Sequence, residues 1–88
     1  MKNVIMEKPK ADIMYVRVSS NEQVIGFSLD NQEKFCREFS QKDEHSVLRI
    51  FREEGESAKT ADRTQLQLMM RFCEQHKKQI ARVIIYKV

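Results

Sequence analysis

The chain has 88 residues, 41% of them hydrophobic, and a net charge of +3 from 16 basic and 13 acidic side chains. That is the size of one small domain or part of one, and two Gly and one Pro argue against disorder and against an all-β fold rich in tight turns. The interspersed charges lean only weakly towards an anionic partner. No apolar run approaches the ~18 residues of a membrane span, and the charged segment before Pro9 lacks the apolar stretch of a signal peptide, so a cytoplasmic protein with no membrane partner is expected.

Residues 1–11 read as a lead-in. Ile13 to Val18 is apolar and β-branched apart from Arg17, and predicts the first strand. Alternation places Arg17 and Ser19 on one side and Val16 and Val18 on the other. A guanidinium and a hydroxyl then leave the strand together at its carboxyl end, the edge where open α/β sheets bind ligands. Ser19 reads as a nucleophile and Arg17 as an anion holder. From these residues alone, the plainer alternative is a strand end with a serine turn. Residues 19–27 form a polar loop that contains Gln23 and Gly26.

Ser28 suits an N-cap and Asp30 suits the positive end of a helix dipole, so a helix is predicted from Leu29 to about Lys42. Its apolar face is Leu29, Cys36 and Phe39, widened by Phe35. Gln32 falls on that face and needs hydrogen-bond partners there. It is either a helix-edge residue served by water or a side chain aimed at the loop after the first strand. Ser46 to Phe51 is the second strand, and residues 53–61 read as a polar loop with Gly55. Asp62 followed by Gln65 resembles a capping box for a second helix, from about Arg63 to Lys78. Leu66, Met69, Met70 and Cys73 form its core stripe. Residues 82–88 are the third strand.

Cys36 and Cys73 are too few and too far apart for a disulfide framework or a zinc site, and read as buried apolar groups. His45 and His76 lack ligand-spaced companions and read as surface residues, so no metal is expected. The order is βαβαβ with no hairpin signal. A parallel sheet with right-handed crossovers follows, with the first strand in the middle and a helix on each face.

In such a sheet the carboxyl edge collects Arg17, Ser19 and the Gln23 loop from strand one. From strand two it takes Glu53, Glu54 and the loop through Ser57, Lys59 and Arg63. The plainer reading of the two glutamates is a solvated loop. A hydroxyl among cations without a nearby His favours phosphoryl transfer over acyl transfer. Arg suits phosphate because its planar fork binds two oxygens at once. No Walker loop or Rossmann fingerprint is present.

Tyr15-Val16-Arg17-Val18-Ser19-Ser20, then Gln23, Gly26-Phe27-Ser28-Leu29 and Gln32, resembles the start of the serine recombinase (resolvase/invertase) catalytic domain. The pattern is nearest to that of large serine recombinases and transposon recombinases. It continues through Cys36, the stretch from Phe51 to Thr60, Asp62-Arg63, Leu66 and Val83 to Val88. The resemblance implies a flavodoxin-like three-layer α/β fold, of which residues 12–88 form the βαβαβ first half. It implies that Ser19 attacks a DNA phosphodiester and forms a 5′-phosphoserine link, with Arg17 and Arg63 as site arginines and Gln23 and Gln32 organising the site. Glu53 falls where many members carry Asp, and Glu54 competes for that position. No cofactor or metal is implied; the partners are DNA and further subunits, as a dimer or tetramer.

The family's Asp-Arg-Leu-x-Arg segment, dimerisation helix and DNA-binding region have no counterpart in these residues. The 88 residues alone are therefore expected to be inactive. The alternative function is an inert fragment acting as an interaction or phosphate-binding module.

Overall fold

The structure, a computed structural model, describes residues 9–18, 28–55 and 63–86. They form β1 (Ala11–Val18), α1 (Leu29–Lys42), β2 (Ser46–Glu54), α2 (Thr64–Gln75) and β3 (Ile80–Ile85). The three strands make one parallel sheet in the order β2-β1-β3. This is the expected βαβαβ arrangement, with β1 between its neighbours.

β1 reads as an apolar run because both its faces are covered. Met14, Val16 and Val18 pack with Leu29 and Cys36 of α1. Ile13 and Tyr15 pack with Phe51 and with Met69 of α2. Ile13, Met14 and Val16 are fully buried, and each contributes on the order of 1.5–3 kcal/mol relative to an exposed side chain. Burial pushes both cysteine thiols above their ordinary pKa; Cys36 is buried and Cys73 half-buried.

Helix α1 starts as predicted, with Ser28 Oγ accepting a hydrogen bond from the Asn31 amide at 3.2 Å. Its buried stripe is different from the predicted one. Leu29, Gln32, Cys36 and Ser40 face the sheet, while Phe35 and Phe39 are 65% and 51% exposed. The helix is rotated to bring two polar side chains onto β1, where each has a specific partner. Phe35 instead meets Tyr86 edge-on at 5.8 Å, and Phe39 lies beneath the Arg82 guanidinium at 5.0 Å. Met70 is likewise 62% exposed, and Phe72 takes its place in the α2 contact with Phe51.

Several boundaries move, with β1 beginning at Ala11 rather than Ile13 and β3 ending at Ile85. β2 continues past Phe51 to Glu54, because β1 pairs with it as far as Val18–Glu54. Glu53 is therefore a strand residue, not a loop residue. α2 stops at Gln75, with the His76 amide bonded to the Phe72 carbonyl, and β3 begins at Ile80. The Asp62 half of the expected capping box, and Lys87 and Val88, lie outside the described residues.

The amino edge of the sheet holds a polar cluster around Asp12, which is fully buried. Asp12 accepts from Ser40 Oγ at 2.7 Å, from Arg82 Nε at 3.1 Å, and lies 2.8 Å from His45 Nδ1. Arg82 also donates to Asp43 at 2.7 Å. His45 is thus half-buried in a network rather than a surface residue. The turn that delivers it has Glu44 at φ 59°, with Glu44 N bonded to Gln41 O and His45 N to Ser40 O. This is a Schellman cap with Glu where Gly is usual.

Candidate active site

The carboxyl edge lies at the other end of the sheet. Arg17 is half-buried near the end of β1 and stands opposite Glu53 of β2. The described β1–β3 pairing stops at Tyr15–Ile85, short of Arg17. Gln32, itself 2% exposed, takes over there. Its Oε1 accepts from the Arg17 amide at 3.1 Å and its Nε2 donates to the Arg17 carbonyl at 2.8 Å. The glutamine thus acts as a short piece of neighbouring strand. It serves the end of β1, while residues 19–27, its other expected target, lie outside the described residues. Gln32→Leu is expected to leave both backbone groups unpaired, costing about 1–3 kcal/mol for each. Urea unfolding measures it, and an unchanged midpoint contradicts the clamp.

Glu53 is fully buried and densely bonded. Its Oε1 accepts from Tyr15 Oη at 3.1 Å and from the Leu66 amide at 3.1 Å. Its Oε2 accepts from the Gln65 amide at 3.1 Å and from Thr64 Oγ1 at 3.4 Å. These donors include the first turn of α2. The helix is therefore capped from β2, and its own N-cap residue, Arg63, supplies no side-chain bond. A negative charge here also suits the positive end of the helix dipole. Glu54, next along the strand, is exposed.

Arg63 sits at that helix start in the left-handed region, with φ 33° and ψ 69°. The edge thus brings together Arg17, Gln32, Glu53 and Arg63. Ser19, Gln23, Ser57 and Lys59 lie outside the described residues. Among the described residues, no group of three or more His, Cys, Asp or Glu is gathered to hold a metal ion, and no helix is long and apolar enough to cross a membrane.

A family model described as Resolvase, N terminal domain, matches residues 12–88. The chain belongs to the resolvase family. No significant match was found among curated proteins or solved structures. The match covers every element from β1 to β3, and marks the chain in general terms as a recombinase catalytic domain, of a family that acts on DNA.

One residue of the resolvase edge escaped the sequence reading. Tyr15 lies two positions before Arg17, on the same side of β1, and its polar tip ends in a buried carboxylate. Period-2 alternation from Arg17 was the available signal. Burial, then the hydrogen bond and charge of Glu53, push the Tyr15 hydroxyl up to about 12, against the opposing pull of Arg63 and Arg17. Both guanidinium groups are thus within electrostatic reach of this hydroxyl.

A raised folded pKa gives Tyr15 a stabilising contribution present below its ordinary value of 10.0 and lost as the pH rises towards about 12. Tyr15→Phe is expected to remove that alkaline part of the stability profile. Thermal unfolding of both proteins across the window measures it, and identical slopes contradict the assignment.

Proposed function

We propose that this resolvase domain breaks and rejoins DNA by serine transesterification, without a metal or cofactor. Ser19 Oγ attacks a backbone phosphorus and forms a 5′-phosphoserine bond. The deoxyribose 3′ oxygen leaves and takes up a proton. Rejoining reverses the step, with a new 3′ hydroxyl attacking the phosphoserine. One phosphoester replaces another, so no nucleotide is consumed.

The observation that carries this reading is the convergence of Arg17 and Arg63 at one carboxyl edge, from different elements. Two fixed cations there suit the non-bridging oxygens of a phosphodiester in the transition state. Serine is a weak nucleophile at its ordinary pKa, and adjacent positive charge favours its ionised form. Gln32 holds the Arg17 backbone, and Gln23 follows Ser19 by four positions in the sequence. Exchange between two DNA sites needs more than one such centre, so a dimer or tetramer is part of the proposal.

The test is covalent capture. A recombinase carrying this domain, incubated with its DNA site and denatured, should yield a DNA-linked peptide that mass spectrometry maps to Ser19. Cleavage without any protein–DNA link overturns the proposal.

A further inference from the structure

Glu53 carries a full load of donors. A carboxylate offers about four lone-pair sites. Among the described residues, Tyr15, Leu66, Thr64 and Gln65 donate to it, two on each oxygen. A fully buried carboxylate engaged in this way serves the protein's own donors. Its place is between β1 and the start of α2.

What it holds there is unusual. Arg63 adopts a left-handed backbone at φ 33°, without glycine's freedom. Such a residue is strained and persists only where its surroundings over-determine it. The over-determination comes from the next three residues. Thr64, Gln65 and Leu66 are all bonded to Glu53, and Glu53 is tied to the sheet by Tyr15.

We propose that Tyr15 and Glu53 are a positioning pair that fixes the first turn of α2, and through it aims the Arg63 guanidinium at the DNA phosphate beside Arg17. The pair touches neither the DNA nor the reacting atoms. This rests on the proposed role of the edge, and assigns the carboxylate to geometry rather than to proton transfer.

The test uses NMR on the 88-residue chain, following the Arg17 and Arg63 Nε–Hε resonances during titration with a short DNA duplex at low salt. In the wild-type chain both resonances should shift. In Tyr15→Phe, which keeps the ring and loses the hydroxyl, the Arg63 response should fall about fivefold, the scale of one hydrogen bond, while Arg17 keeps its own. Glu53→Gln, which exchanges one acceptor oxygen for a donor, should also weaken it. Met69→Ala, which loosens the core around the Tyr15 ring but removes no hydrogen bond of the pair, should leave both responses intact.

An unchanged Arg63 response in Tyr15→Phe overturns the proposal. So does an absent Arg63 response in the wild-type chain, or an equal loss in Met69→Ala. Failure of the transesterification reading is separate: it appears as a missing Ser19 adduct while the Arg63 response survives.

Discussion

Asp12→Ala should lower the unfolding free energy by about 3 kcal/mol, measured by urea unfolding. Removing one member of a buried ion pair costs ~3–5 kcal/mol, because the partner keeps its desolvation without its compensation. The lower end applies here, since Arg82 retains Asp43 and is partly solvated. Ser40 Oγ, which is buried, loses its acceptor as well. Against a total stability of ~5–15 kcal/mol, this is a large fraction. The effect should be global, because Asp12 joins the end of α1, the approach to β2 and the start of β3.

The same cluster sets an acid limit. Burial alone pushes the Asp12 carboxyl up, but the bonds from His45, Ser40 and Arg82 outweigh it and hold it below its ordinary 3.8. A depressed folded pKa gives stability that is present above the unfolded value and lost as the pH falls through the folded one. Wild-type stability should therefore drop below about pH 3.8, and Asp12→Asn should lack this component. Equal acid profiles for the two proteins defeat the assignment.

Asp12 also shows where a sequence stops being legible. The strand order, the parallel sense and the opposed helices followed from apolar alternation and from the absence of hairpin turns. Those signals are local, and Ser28 as a cap is local too. Asp12, Ser40 and Arg82 are polar residues far apart in sequence, and each alone reads as surface. Only the closed sheet reveals that they share one buried site. Phe35 and Phe39 fail for the complementary reason. Hydrophobicity assigns them to the core face, but the helix rotates so that Gln32 and Ser40 meet β1.

The candidate site divides in the same way. Arg17 at the strand end was visible from period-2 alternation and Arg63 from its place after strand two, and the family resemblance implied a site role for both. The role of Glu53 was not visible. A loop was expected after Phe51 because Arg52-Glu53-Glu54 is charged, yet a β1 partner carries β2 through all three. The cap on α2 then comes from a residue 11 positions before Thr64. Capping signals in sequence are sought within a few residues of the helix, and this one is a tertiary contact.

The second large effect concerns Ser19 and Ser20. In a recombinase carrying this domain, Ser19→Ala should abolish the covalent DNA intermediate while leaving DNA binding nearly intact. Ser20→Ala should retain substantial activity. Both hydroxyls follow the same strand, so residue type cannot choose between them. Arg17 supplies a frame of reference. Its backbone is held on both polar groups by Gln32, and its side chain belongs to the same face as Tyr15. Ser19 shares the side of Arg17 if the alternation continues through it, and Ser20 then does not. The attacking oxygen must lie beside the cations that neutralise the phosphate, which selects Ser19. Binding survives the substitution because a hydroxyl carries little of the phosphate attraction, which comes from the cationic groups. Single-turnover assays scored for the denaturation-resistant adduct decide the matter: an adduct formed by Ser19→Ala, or a DNA-linked peptide mapped to Ser20, moves the nucleophile to the other face and away from the Arg17 guanidinium.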